Sequence, residues 1–149
     1  MKEQLITFET AKLAKEKGFD IGVNQSYIIY KESYNYDDDP NHRESYKVND
    51  IEINSHYHVN NYKGIDLSNE LYEAYSAPTQ SLLQRWLREV HKIDVFCDCI
   101  GSGKYYSVIY DNNIKEGNDK VFEQEKETSY EEALEVGLQE SLKLITNKE

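Results

Sequence analysis

The chain has 149 residues, a formal net charge of −11 and thirteen tyrosines, with 38% of its residues hydrophobic. That is enough chain for one domain with a real core, expected over residues 1–149, and too much apolar content for a disordered segment. The negative charge disfavours direct binding to nucleic acid or to anionic membranes, and no apolar run approaches the roughly 20 residues that span a bilayer.

The first predicted element is a short N-terminal helix. Thr7 can cap it, Phe8, Ala11 and Ala14 share one side, and Gly18 stops it after about Lys17. Phe19 can then fold back onto the last turn. Residues 26–34, SYIIYKESY, read as a strand rich in β-formers. The run Asp37-Asp38-Asp39-Pro40-Asn41 is turn chemistry. Residues 46–59 alternate, with Ile51, Ile53, Tyr57 and Val59 on one face and Glu52, Asn54, His56 and His58 on the other. From Asn60 to Ser68 no pattern stands out. ELYEAYS reads as extended because it runs into Ala77-Pro78.

Thr79 is the predicted N-cap of a helix over residues 80–92. At 100° per residue Leu82, Leu83, Trp86, Leu87 and Val90 fall within about 140° of arc, an apolar stripe that marks Trp86 as core. Arg85, Arg88 and Lys92 lie opposite, a basic patch in an acidic protein. They are the candidate partner-binding residues, expected to pair with acids of this chain or of a protein partner. KIDVFCDCI reads as a strand, Gly101-Ser102-Gly103 as a three-residue hairpin loop, and KYYSVIY as the return strand. A last strand near Val121-Phe122 is confined to an edge or a loop by the acids that follow. Ser129 and Glu132 form a capping box for a helix over 130–146. Its stripe is Tyr130, Ala133, Leu134, Gly137, Leu138, Ser141, Leu142 and Ile145, and the small Gly137 and Ser141 suggest close packing.

The motifs that invite chemistry are weak. Gly101-Ser102-Gly103-Lys104 lacks the upstream glycine, the following Ser/Thr and the helix of a phosphate loop. Cys97 and Cys99 are spaced more closely than zinc-binding cysteine pairs usually are. With Ile93 and Val95 they share one face of a strand, which reads as small core residues, metal-free and slow to react. Two cysteines make no disulfide framework, and Met1-Lys2-Glu3-Gln4 does not open a signal peptide, so the expected compartment is cytoplasmic. No catalytic set, metal site or cofactor site is assigned, and no small-molecule ligand is indicated.

LITFETAKLAKEKGF, APTQSLLQRWLREVHKI and SYEEALEVGLQESLKLI together resemble, in order and register, a group of small uncharacterised proteins encoded by bacteriophages and by gut Bacteroidetes and their mobile elements. The blocks cover about 50 of the 149 residues, and the stretch from roughly Tyr34 to Asp66 lies outside the resemblance. The resemblance implies a phage or prophage source and brings no activity, cofactor or site residues.

The expected architecture is α+β: a mainly antiparallel sheet packed on one face by two long helices, 80–92 and 130–146, plus the short N-terminal helix. The expected function is a non-enzymatic accessory protein that binds another protein. Two alternatives are a nucleic-acid-mimicking inhibitor of a host enzyme, and a metal protein or enzyme using Cys97, Cys99 and a histidine.

Overall fold

The computed structural model of the chain describes residues 3–31, 48–54, 63–65, 71–114 and 120–146. The predicted turn at 37–41, the pair His56 and His58, and the ends of the two early strands lie outside these residues. The described residues are α+β, with antiparallel sheets, and they form two compact units: residues 20–77, and residues 1–19 together with 78–149.

The first unit holds a four-stranded antiparallel sheet in the order β2-β1-β4-β3, with β1 Ser26–Lys31, β2 Val48–Asn54, β3 Lys63–Ile65 and β4 Leu71–Ser76. β1 and β4 pair in register from Ser26↔Ser76 to Lys31↔Leu71. Tyr27, Ile28 and Ile29 are all buried. Successive strand residues point to opposite faces, so both faces of β1 are shielded from water, as its unbroken apolar run suggests. β3, a three-residue strand, falls in the stretch where no pattern was legible.

The second unit holds three α-helices and a β5-β6-β7 sheet. α1 spans Phe8–Glu16, and Thr7 accepts a hydrogen bond from the Thr10 amide at its start. It ends in a Schellman motif: the Phe19 amide donates to the Ala14 carbonyl at 2.9 Å and the Gly18 amide to Lys15 at 3.1 Å. Phe19 is thereby folded back and buried.

α2 spans Gln80–Trp86 and is capped by Thr79, whose side chain accepts from the Leu82 amide. It does not continue as an α-helix to residue 92. Leu87–His91 is a π-helical turn, closed by the Lys92 amide bonding to the Leu87 carbonyl, and Lys92 takes a left-handed conformation at φ 59°. Bonding from i to i+5 puts more residues into each turn than the α-helix's 3.6, so the 100° step is lost after Trp86. Leu83, Trp86 and Leu87 are buried as the stripe requires, but Val90 is 59% exposed.

β5 (Ile93–Gly101) and β6 (Lys104–Asp111) form a hairpin, and β7 (Lys120–Glu123) is an edge strand beyond β6. Gly101 pairs with Lys104, so the loop has two residues rather than three. Ser102 and Gly103 both have positive φ, 54° and 70°, the signature of the type I′ turn that matches strand twist.

α3 spans Tyr130–Leu144 with the full capping box of Ser129 and Glu132. It lies against β5 and β6. Ala133, Leu134, Gly137, Leu138, Ser141, Leu142 and Ile145 are buried, whereas Tyr130 is 44% exposed. A Cβ on Gly137 would stand 2.6 Å from Val95 Cγ1 and 2.9 Å from Ser107 Cβ, so only glycine permits this approach of helix to sheet. The expectation of one sheet carrying two long helices on one face is thus resolved differently: there are two sheets among the described residues, and α2 is seven residues long.

Candidate functional site

The most polar part of the helical unit's interior is built around Glu135. Its Oε1 accepts from the Thr7 amide at 2.8 Å and from the Thr10 hydroxyl, and its Oε2 accepts from Gln80 Nε2 at 2.8 Å. Gln80 Nε2 also donates to the Glu131 carbonyl at 3.0 Å, and Gln139 Nε2 to Thr10 Oγ1 at 2.9 Å. One carboxylate therefore links the starts of α1 and α2 to the middle of α3. A buried carboxylate is tolerable only when donors surround it in this way. These bonds make the group a clip between helices, with its inward-facing oxygens already engaged. Nothing in the spacing of Glu135 marks it in the sequence, because it interrupts the apolar pattern of α3 without breaking it.

Cys97 and Cys99 do share a strand face with Ile93 and Val95, but that face leaves the core along its length. Ile93 and Val95 are buried, Cys97 is half-buried and Cys99 is exposed. The hairpin runs on past the first residue of α3, where Cys97 Sγ lies 3.9 Å from the Tyr130 carbonyl. Burial, and then the charge of Asp98, push the Cys97 thiol up to about 11. A thiol held protonated is a poor nucleophile and a poor metal ligand. Among the described residues no group of three or more His, Cys, Asp or Glu side chains is placed to hold a metal. His91, the histidine among the described residues, is half-buried against Trp86 with ring centroids 4.4 Å apart, and its Nε2 is buried without a partner. Burial lowers its basicity.

Arg85 and Arg88 are exposed, as is Lys92. Arg85 Nε stands 4.0 Å from Glu89 Oε1, and Lys92 Nζ donates to the Glu89 carbonyl at 3.0 Å. The π turn takes Lys92 off the helical repeat that grouped the three in the sequence, and its left-handed backbone makes it the helix terminus.

The other face of the β5-β6-β7 sheet is the most distinctive surface of the unit. Cross-strand partners point to the same side, so Asp94/Tyr110, Phe96/Val108 and Asp98/Tyr106 lie opposite the face that α3 covers. Phe96 is 50% exposed and meets Tyr110 edge to face, with centroids 5.8 Å apart. The Tyr106 hydroxyl reaches Asp98 Oδ2 at 3.5 Å, and burial, then the carboxylates of Asp98 and Glu123, push its acidity down. Lys120 and Glu123 of β7 pair at 2.5 Å beside these rings. α3, the long helix of this unit, packs on the opposite face, and on this one Val108, between Phe96 and Glu123, is buried while Phe96 stays half in water. The alternation of Phe96 with Val95 and Cys97 could have pointed to it, since one face of β5 cannot be core without the other being surface or interface.

Among the described residues no helix is long and apolar enough to cross a membrane. Compared with known protein families, curated proteins and solved structures, the chain matches none.

Proposed function

We propose that this chain is a non-enzymatic protein-binding module, a small accessory protein of the phage type that its sequence resembles, and that it binds through the open face of the β5-β6-β7 sheet. The observation that carries the reading is Phe96, half in water, packed edge to face on Tyr110 beside Tyr106 on the sheet face opposite α3. Aromatic side chains supply large contact area at low entropic cost and are enriched at the centres of protein interfaces. Asp94, Asp98 and Glu123 border the rings, which suits a partner with a basic rim around an apolar centre. A nucleic-acid mimic calls for carboxylates in rows. Here they alternate with aromatic residues and with Lys120, which weighs towards protein contact.

The test uses the tagged chain as bait in extract of its native host. Native protein and the variant Arg85→Ala, Arg88→Ala, Lys92→Ala should retain one partner at stoichiometric amounts. The variant Phe96→Ser, Tyr110→Ser should lose it while keeping its helical circular dichroism. Retention by the aromatic variant and loss by the basic one would move the binding face to the helix and overturn this assignment.

A further inference from the structure

The sheet face opposite α3 ends at β5, the edge strand of the described sheet. Among the described residues β5 pairs with β6 on one side and with no strand on the other. In an antiparallel ladder the N–H and C=O of a residue point the same way, so the direction of β5's groups can be read from its partners. Tyr105 directs both groups to Thr128, at 2.9 and 2.8 Å, away from β5. Ser107 directs its carbonyl to the Gln124 amide at 2.9 Å and its amide to Gln124 Oε1 at 3.1 Å, again away from β5. Their partners Cys99 and Cys97 must therefore point N–H and C=O outward from the sheet. Val95 follows the same alternation, and its outward carbonyl is already taken by Gln84 Nε2 at 2.7 Å. The open part of the edge is thus the stretch around Cys97–Cys99, where Phe96, Asp98, Cys99 and Ile100 are all exposed.

Natural sheets guard such an edge with lysine, proline or a covering element. From Ile93 to Gly101 there is neither lysine nor proline, and the charges are Asp94 and Asp98. Self-pairing of two copies would bring these acids together from both chains, in a protein already at −11. A strand from a basic partner meets the opposite field.

We propose that the β5 edge at Phe96–Gly101 accepts an extended segment of a partner protein as an added strand, with a basic side chain of that segment opposite Asp98 and an apolar one opposite Phe96. This deepens the protein-binding reading and rests on it. Main-chain bonds to the Cys97 and Cys99 groups would hold the segment, and the side-chain alternation would select it. Addition on this edge extends the aromatic face by one strand, which joins edge and face into a single surface.

The probe is the capped peptide Thr-Val-Thr-Lys-Thr-Val-Thr at millimolar concentration, read by amide hydrogen exchange at Cys97 and Cys99 and by the rate of thiol labelling at exposed Cys99. The peptide should slow exchange at both amides tenfold or more. A peptide N-methylated at alternate residues, on the edge that faces β5, should give no protection, and neither should one with glutamate for lysine. Asp98→Lys should reverse the lysine-to-glutamate preference. Absence of protection by the lysine peptide, or equal protection by the N-methylated one, overturns strand addition. The same measurement on the captured partner complex separates the two claims. Loss of binding in Phe96→Ser, Tyr110→Ser with unprotected Cys97 and Cys99 amides would leave the face assigned and remove the edge.

Discussion

α2 and α3 were read from the sequence by the same arithmetic, and the comparison between them shows where it holds. α3 keeps its 100° step over fifteen residues, and the positions from Ala133 to Leu142 on its stripe are buried. α2 keeps it for seven and then slips into a π turn, so that the last position of its stripe, Val90, faces water. The difference lies in what each helix meets. α3 crosses a sheet at a distance set by Gly137, and every turn finds a partner. α2 must deliver Trp86 against Phe19, at 5.3 Å between ring centroids, and then return the chain to β5 within six residues. A π turn with a left-handed Lys92 makes that reversal. Amphipathic periodicity thus marks the side a helix buries, but not the point at which it ceases to be an α-helix.

The largest effect expected is at the residue on which α2 depends. Trp86→Ala should lower stability by roughly 3–5 kcal/mol, measured by denaturant unfolding, since the side chain is 5% exposed and packed by Phe19 and His91. A loss below about 1 kcal/mol would place the ring outside the core. Next comes the contact that holds α3 on its sheet. Gly137→Ala gains helix propensity but drives a methyl into Val95 and Ser107, for a net loss of about 1–2 kcal/mol. Adding Val95→Ala should recover part of it, and strict additivity in that double-mutant cycle would argue against the clash.

The capping of α3 makes a smaller claim. Ser129→Ala removes the acceptor of the Glu132 amide and should cost about 1 kcal/mol. An unchanged melting temperature would show that the helix starts independently of this side chain. The π turn predicts a modest pH dependence. Burial of half-exposed His91 holds its imidazole below its ordinary value of 6.5, so the unfolded chain takes up a proton first as the medium is acidified. The stability from neutral His91 is therefore present above pH 6.5 and lost as the pH falls below it. His91→Gln should flatten the slope of unfolding free energy between about pH 7 and pH 5, where carboxylates contribute little. Smallest is Val90→Ser, which should change stability by less than about 0.5 kcal/mol because the side chain lies outside the core. A cost above 1 kcal/mol would restore the unbroken α-helical stripe.

Local chemistry in this chain was legible because its causes are local. Thr7, Thr79 and Ser129 cap the three helices as their sequence positions suggest, since a cap needs only a side-chain oxygen within three residues of an orphan amide. Gly18 with Phe19 ends α1, and the alternation of β5 places Ile93, Val95, Cys97 and Cys99 on one face. What the tertiary structure decided is where those faces lead. The shared face of β5 is core at Val95 and surface at Cys99 because α3 begins beside Cys97 and covers no more of the strand. Glu135 became the link between three helices only when folding brought Thr7, Thr10 and Gln80 around it, across separations of up to 128 residues. The half-exposed Phe96 on the face opposite α3 and the Cys97–Cys99 edge, unpaired among the described strands, follow from the same fact. A sequence shows which residues share a side of a strand or helix, but burial of that side depends on distant elements whose arrival no local pattern encodes.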